Sequence, residues 1–334
     1  MTKMTNETEK LLQVKDLSVE YRTDTGTVYA VNDVSFDLYR GETLGLVGET
    51  GAGKTTIALA IMGLLPVPPA FLPSGEILFD GIVTTKLSKK KQRAIRGERI
   101  SMIFQDPMTA LNPVDTVGEQ IMEVIRLHNK CSRIEAKEKA QESLELVGIP
   151  KERFNEYPHQ FSGGMKQRIV IAIALACSPE LLIADEPTTA LDVTIQAQIL
   201  HLMNELKEMK NTSNILITHD LGVVAEMCDR VAIIYSGAIV EAGTLRQIFK
   251  GPAHPYTKGL FDSLPDINDE DRHRLHPIDG MMPDPFEKIE GCAFAGRCQY
   301  CTDECRIGKI ELKDIGDGHL VRCLKPLSGS EGRE

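Results

Sequence analysis

The most informative stretch of the sequence is GETGAGKT, Gly48–Thr55. It fits G-x-x-x-x-G-K-[ST], follows an apolar run at Thr43–Val47 that predicts a strand, and opens a run at 54–64 that predicts a helix. In this context the glycines let backbone N–H groups surround phosphate, and the helix N-terminus adds partial positive charge. Lys54 is predicted to reach the β- and γ-phosphates, and Thr55 to place its hydroxyl on Mg²⁺.

A second stretch, LLIADE at Leu181–Glu186, is an apolar run that ends in two acids. Buried carboxylates at the end of a strand are costly unless they bind something. Asp185 suits a Mg²⁺ ligand acting through water, and Glu186 suits the general base that polarises an attacking water. Alone, this run is a strand leaving the core; together with the loop at 48–55 it indicates hydrolysis of a triphosphate.

A second glycine-rich helix start lies at Ser162–Gly164, before the apolar run 165–177. It predicts another helix N-terminus suited to phosphate, and an ordinary N-cap is the alternative interpretation. One triphosphate does not obviously need two such sites in one chain, so a different use is expected for this one.

Composition places these motifs in a globular chain of 334 residues, which predicts about two domains. The net charge of −10 argues against general nucleic-acid binding. The polar N-terminus lacks the apolar region of a secretory signal. The longest apolar run, Ile169–Cys177, is far shorter than the roughly 20 residues that span a bilayer. We therefore expect a cytosolic chain with reduced thiols.

Apolar periodicity predicts strands that alternate with helices. The predicted strands are 12–19, 31–38, 43–47, 100–104, 181–184 and 215–218, with hairpins at 76–83 and 231–240. The predicted helices are 54–64, 195–209 and 221–227, with helical texture through 117–147. This alternation predicts a mostly parallel α/β sheet. The prolines at 66, 68, 69 and 73 are expected to break the chain, and a proline-rich texture after Gly251 indicates a boundary near residue 250.

The order of these motifs resembles that of ABC transporter ATPases. By this resemblance the further motifs are the stacking aromatic Tyr21, the glutamine Gln105, the signature FSGGMKQ at 161–167, the D-loop at 190–192 and the switch histidine His219. The commoner signature begins LSGGQ. Here Phe161 and Met165 replace Leu and Gln, whereas the serine and both glycines are intact.

The resemblance narrows to the oligopeptide/dipeptide branch through QDPMTALNP at 105–113, DEPTTALDVT at 185–194 and HPYTKGL at 254–260. It implies a P-loop ABC ATPase core with a mostly parallel sheet, an antiparallel β subdomain and a helical signature subdomain at about 106–178. The implied domains are a nucleotide-binding domain at 1–250 and a small cysteine-rich domain at 251–334.

The resemblance also implies ATP and Mg²⁺ as cofactors and assigns roles to residues. It assigns catalysis to Glu186, His219 and Gln105, and Mg²⁺ to Thr55, Gln105 and Asp185. The implied nucleotide-binding residues are Tyr21, Gly48, Gly51, Gly53, Lys54, Thr55, Thr56, Asp185, Ser162, Gly163, Gly164 and Asp192. Two ATPase chains are expected to close head to tail, with ATP on one P-loop clamped by the partner's signature.

The implied partners are two membrane permease subunits, a second identical or homologous ATPase chain and, indirectly, an extracytoplasmic solute-binding protein, with no nucleic acid. The chain is expected at the cytoplasmic face of the membrane as a peripheral subunit that powers import of dipeptides or oligopeptides. The alternatives are nickel or another solute as cargo, a soluble ABC ATPase without a transport role, and a metal-sensing regulator.

Five of the eight cysteines lie between Cys292 and Cys323. In a reducing compartment this cluster favours metal over disulfides. Four thiolates can hold a [4Fe–4S] cluster or a structural Zn²⁺, and the C-x-x-C unit alone favours Cys298 with Cys301. The resemblance instead assigns Cys292, Cys298, Cys305 and Cys323. With only one short pair, the spacing favours iron–sulfur over zinc. The predicted role is to staple a small domain, and redox sensing is the alternative.

Overall fold

The computed structural model describes residues 9–189, 191–263 and 277–327. The strands are β1 Lys10–Thr23, β2 Gly26–Tyr39, β3 Thr43–Val47, β4 Ala70–Phe79, β5 Ile82–Val83, β6 Ile100–Ile103, β7 Leu181–Asp185, β8 Ser213–Thr218, β9 Arg230–Tyr235, β10 Ala238–Thr244, β11 Lys313–Asp314 and β12 Leu320–Val321. The helices are α1 Lys54–Met62, α2 Lys89–Ile95, α3 Pro107–Ala110, α4 Val117–His128, α5 Arg133–Leu146, α6 Gly163–Leu175, α7 Val193–Lys210, α8 Leu221–Met227, α9 Leu245–Lys250 and α10 Pro255–Asp262.

The main sheet has the strand order β11-β12-β10-β9-β3-β8-β7-β6. Five neighbouring strands, β9, β3, β8, β7 and β6, run parallel to one another. The remaining pairs, β9–β10, β10–β12 and β12–β11, are antiparallel. Strands β3, β7 and β8 are buried at every position, as expected for parallel strands covered on both faces. The predicted mostly parallel α/β sheet is confirmed.

The second sheet is antiparallel, in the order β2-β1-β4-β5. The predicted hairpin around Asp80-Gly81 is confirmed, because Phe79 pairs with Ile82 and both turn residues have positive φ, 50° and 73°. Two consecutive left-handed residues form the type I′ turn whose twist suits a two-residue hairpin. Strands β1 and β2 extend beyond the predicted 12–19 and 31–38.

The expected break at Pro73 is wrong, since β4 begins at Ala70 and runs through this proline. The register between β1 and β4 shifts between the pairs Ser18–Ser74 and Glu20–Phe71. A proline lacks the N–H that a sheet ladder needs, and a bulge is one of the places where that loss is tolerated. The irregular pairing therefore explains how Pro73 fits inside the strand.

The chain between β6 and β7 forms a layer of helices, α3 to α6, beside the main sheet. On α4, Val117, Ile121 and Ile125 are fully buried, and they belong to the same core cluster as Ala140 and Leu144 of α5. The predicted capping box at the start of α5 is present. This layer ends with α6, which carries the signature serine as its N-cap.

The described residues after 251 are attached to the core at several points. Helix α10 starts with Pro255 at its first turn, capped by the His254 side chain, a good position for proline because its missing N–H would be unpaired there. Strand β12 pairs with β10 through Glu241–Val321, so the extension lengthens the main sheet. In the part of the chain that the structure describes, no helix has the length and apolar character to cross a membrane.

Candidate nucleotide site

The P-loop connects β3 to α1 at the carboxyl edge of the main sheet. Gly53 has φ 95°, and a Cβ there would lie 2.3 Å from the carbonyl oxygen of Ala30. A Cβ on Gly48 would lie 2.1 Å from the carbonyl oxygen of Ile234. Both positions therefore require glycine, one for its backbone conformation and its space, the other for space alone.

Lys54 is buried and turned back onto the loop. Its Nζ donates to the carbonyl oxygens of Gly48 at 2.7 Å and Glu49 at 2.9 Å. Burial lowers the pKa of Lys54, while the nearby carboxylates of Glu186 and Asp185 act to raise it. Burial raises the pKa of Asp185, against a hydrogen bond from the Thr55 side chain. The start of α1 and the end of β7 thus bring a cation, a hydroxyl and a carboxylate together, a suitable set for Mg²⁺ and phosphate.

Glu186 lies at the centre of a polar cluster formed at three strand ends. Its Oε2 accepts hydrogen bonds from Gln105 Nε2 at 2.8 Å and Thr189 Oγ1 at 3.0 Å, and its Oε1 lies 3.1 Å from His219 Nδ1. Burial acts to raise the pKa of Glu186, but the hydrogen bonds from His219 and Thr189 outweigh it and the pKa is lowered. The carboxylate therefore stays ionised, as a general base must.

A cleft of about 330 Å³ opens at this edge. Its lining includes Gly51, Gly53, Lys54, Thr55, Thr56, Gln105 and Glu186 among the predicted residues. Tyr21 is outside this lining but adjacent to it, since its hydroxyl lies 3.5 Å from Thr56 Oγ1. The lining also contains Tyr29, an aromatic residue that the sequence analysis did not identify.

The signature residues Ser162, Gly163 and Gly164 are not among the residues that line this cleft. Ser162 and Gly163 are exposed, and the Ser162 hydroxyl accepts from the N–H of Met165 as an N-cap. Gly164 packs against α7, because a Cβ there would lie 2.6 Å from Ile195 Cγ2. Asp192 is likewise exposed and caps α7. Ala190 of the predicted D-loop lies outside the described residues.

Five cysteines line one small cavity in the C-terminal extension. They are Cys292, Cys298, Cys301, Cys305 and Cys323. The cavity measures about 20 Å³, which is room for about one water. Burial raises the pKa of Cys292 to about 11, so this thiol is neutral. Within residues 9–189, 191–263 and 277–327, no three or more His, Cys, Asp or Glu side chains are arranged to hold a metal ion.

The extension also reaches the P-loop, which the sequence analysis missed. Met282, Pro283 and Pro285 line the cleft. The guanidinium of Arg297 forms an ion pair with the Glu49 carboxylate at 3.0 Å. A separation of 248 residues leaves no local pattern that could have revealed this contact.

Two family profiles match the chain in succession. One, described as ABC transporter, matches residues 31–189, and the other, described as oligopeptide/dipeptide transporter, C-terminal region, matches residues 240–305. The dipeptide transport ATP-binding protein DppD of Bacillus subtilis is 56% identical over 94% of each chain. The oligopeptide transport ATP-binding protein OppD of the same organism is 54% identical, over 94% of this chain and 88% of its own.

Among solved structures, the dimeric bacterial ABC transporter cassette MJ0796 is 28% identical, with a TM-score of 0.63. That match covers 70% of the present chain and 99% of the cassette. A second structure of the same cassette is dimeric and bound to ADP and phosphate, with the same identity and coverage.

Proposed function

Because the chain belongs to the ABC transporter ATP-binding proteins of the oligopeptide/dipeptide family, we propose that it powers the import of dipeptides or oligopeptides through two membrane permease subunits. The chain is an ABC-type ATPase, for which ATP and Mg²⁺ are the expected cofactors. The observation that carries the transport role is the joint match to the cassette and to the C-terminal region typical of peptide transporters.

The cluster around Glu186 supports a division of roles within the site. Lys54 and the P-loop glycines bind the phosphates, with Thr55, Asp185 and Gln105 at Mg²⁺. Glu186 accepts the proton of the attacking water, and His219, whose Nδ1 lies 3.1 Å from this carboxylate, holds it in position. Tyr21 lies next to Thr56 at the edge of the cleft, where it could stack on adenine.

A head-to-tail dimer gives a use to the exposed signature. Ser162 and Gly163 are exposed at the start of α6, whose N-terminus favours an anion. In the proposed dimer they clamp the γ-phosphate bound on the partner's P-loop, with Asp192 at the interface. The solved MJ0796 cassettes are dimeric, which supports this arrangement.

The transport role is tested by reconstituting the chain in vesicles with two permease subunits of a peptide importer and a solute-binding protein. Uptake of a labelled dipeptide that depends on ATP is the expected result, and Lys54→Ala should abolish it. Uptake of nickel without peptide uptake would favour the alternative cargo. ATP hydrolysis without any uptake would contradict the transport role.

For the extension we propose a [4Fe–4S] cluster on Cys292, Cys298, Cys305 and Cys323, with Zn²⁺ as the alternative, in a C-terminal domain that begins near residue 251. The donor chemistry fits, because all four thiols line one apolar cavity. The cavity is too small for a cluster as it stands, so the thiols must separate and lose their protons when the metal binds. When bound, the cluster would staple a segment that has little regular structure.

A further inference from the structure

Part of the C-terminal extension lies against the mouth of the nucleotide cleft. The carbonyl oxygen of Pro285 accepts a hydrogen bond from the N–H of Tyr29 at 2.9 Å. Met282 lies so close to Gly51 that a Cβ on this glycine would be 3.6 Å from its Cε. The segment from Ile278 to Pro285 therefore contacts both β2 and the P-loop.

Arg297, the residue before Cys298, joins this segment to the P-loop. Its Nη1 donates to both carboxylate oxygens of Glu49, at 3.0 and 3.1 Å. Its Nη2 and Nε donate to the carbonyl oxygens of Ile278 at 3.0 Å and Asp279 at 3.1 Å. The Arg297 side chain is 8% exposed and the Glu49 side chain 31%, so the guanidinium is largely removed from water whereas the carboxylate is partly hydrated. Losing one partner of such a pair leaves an uncompensated charge.

Glu49 in turn is bonded through its own backbone. Its N–H donates to the hydroxyl of Tyr256 at 3.1 Å, and its carbonyl oxygen accepts from Lys54 Nζ at 2.9 Å. The residue that Arg297 holds is therefore the one that contacts the phosphate-binding lysine. A shift of the Glu49 backbone would move the carbonyl that positions Lys54.

Aromatic packing makes the connection continuous. The rings of Tyr235 and Tyr256 lie 4.6 Å apart between centroids, and Phe294 lies 5.3 Å from Tyr235. Phe294 is buried and also lines the cysteine cavity. The cysteine segment, α10, β9 and the P-loop thus share one set of contacts.

We propose that Arg297 is a positioning residue for the P-loop, through which the C-terminal extension sets the affinity of the cassette for Mg·ATP. Arg297 acts through Glu49 and Lys54. A lysine in its place would keep the charge but lose the planar fork that bonds the carboxylate and two carbonyls together.

The test measures equilibrium binding of a non-hydrolysable ATP analogue with Mg²⁺ to the full chain. Arg297→Gln should raise the Kd about tenfold, a typical size for coupling between sites, and Arg297→Lys should give an intermediate value. Glu49→Gln should weaken binding similarly. The double variant should be no weaker than the weaker single variant, because both changes remove the same contact.

Arg322 is the matched control. It precedes Cys323 as Arg297 precedes Cys298, and it donates to the carbonyl oxygens of Ile239, Ile310 and Asp33. Arg322→Gln should lower the melting temperature and leave the Kd unchanged. If Arg297→Gln also lowers only the melting temperature, or if the two single changes multiply in the double variant, the positioning role is wrong. Should Arg297→Gln not fold, Arg297→Lys and Glu49→Gln decide the question.

This inference rests on the proposed role of the P-loop, which Lys54→Ala tests separately. If Lys54→Ala does not weaken binding of the analogue, the proposed role of the loop fails. If Lys54→Ala weakens binding and Arg297→Gln does not, only the positioning role fails.

Discussion

The cassette and the C-terminal extension are ordered by different means. In the cassette, five parallel strands form a continuous ladder, and β3, β7 and β8 are buried at every position. Between residues 277 and 327 the extension has two strands of two residues each and one short 3₁₀ turn, Asp303–Arg306. The cassette is therefore stabilised by its own sheet and core, whereas the extension depends on contacts with the cassette.

One buried carboxylate of the cassette makes several of the contacts that hold the extension in place. Glu241 of β10 is fully buried and accepts hydrogen bonds from the N–H groups of Ala253 and His254, at 2.8 and 2.9 Å. His319 Nε2 lies 2.7 Å from the same carboxylate. A carboxyl group can be buried at this depth because its oxygens are hydrogen-bonded on several sides. The comparison predicts that a change to the hydrolytic residues of the cassette leaves the attachment of the extension intact, and that Arg297 is a point at which the two regions are coupled.

The largest expected effect is on chemistry in the cassette alone. Glu186→Gln should reduce ATP turnover by about 10²–10⁴-fold, the usual contribution of a general base, or about 3–5 kcal/mol in the activation barrier. Mg·ATP should still bind and trap a closed dimer, visible by size-exclusion chromatography. Protease resistance of the extension should not change. A variant that keeps more than a tenth or so of wild-type turnover would contradict the assigned role.

The next prediction concerns two chains. Ser162→Arg should block hydrolysis and spare nucleotide binding to the single chain, because Ser162 is exposed and outside the cleft. A mixture of equal amounts of the Ser162→Arg and Lys54→Ala chains should recover about a quarter of wild-type turnover. About half of all pairs formed at random contain one chain of each kind, and each such pair has one intact site out of two. A mixture as inactive as either parent would contradict the shared site between identical chains.

A smaller and local effect is expected in the extension. Anaerobically purified protein should be brown, with about four irons per chain. Cys292→Ser or Cys323→Ser should remove the cluster and, with it, the visible absorption band at about 400 nm. Each should also make the extension protease-sensitive while the cassette stays folded. Cys131→Ser, which is outside the cavity, is the matched control and should keep the iron. A colourless preparation with one zinc per chain would show that the site binds zinc and not iron. A preparation without metal would contradict both assignments.

The contrast between the regions also explains what the sequence could reveal. Glu186 could be placed at the end of a strand from its apolar run, and the family resemblance added Gln105 and His219; in the structure each of the three follows a strand of one parallel sheet. Pro73 misled the strand prediction because a bulge depends on the register of two strands. Arg297 could not be placed at the P-loop, because no periodicity or spacing describes a contact made across 248 residues.

The smallest expected effect is a pH-dependent loss of folding stability when the ion pairs of Glu180 in the cassette are removed. Glu180 accepts hydrogen bonds from Arg99 Nε at 2.5 Å and Arg40 Nη1 at 2.8 Å, and the one from Arg99 does most to lower its pKa. A pKa lowered by folding gives stability that is present above the ordinary value of 4.5 and is lost as the pH falls through the folded value. Because Glu180 is about one-third exposed, Glu180→Gln should cost only about 1 kcal/mol at neutral pH. In urea denaturation the difference from wild type should shrink as the pH is lowered below 4.5. Glu98→Gln, a change of an exposed carboxylate just before β6, should have little effect at either pH. A Glu180→Gln deficit that stays constant with pH would mean that packing, not charge, accounts for the loss.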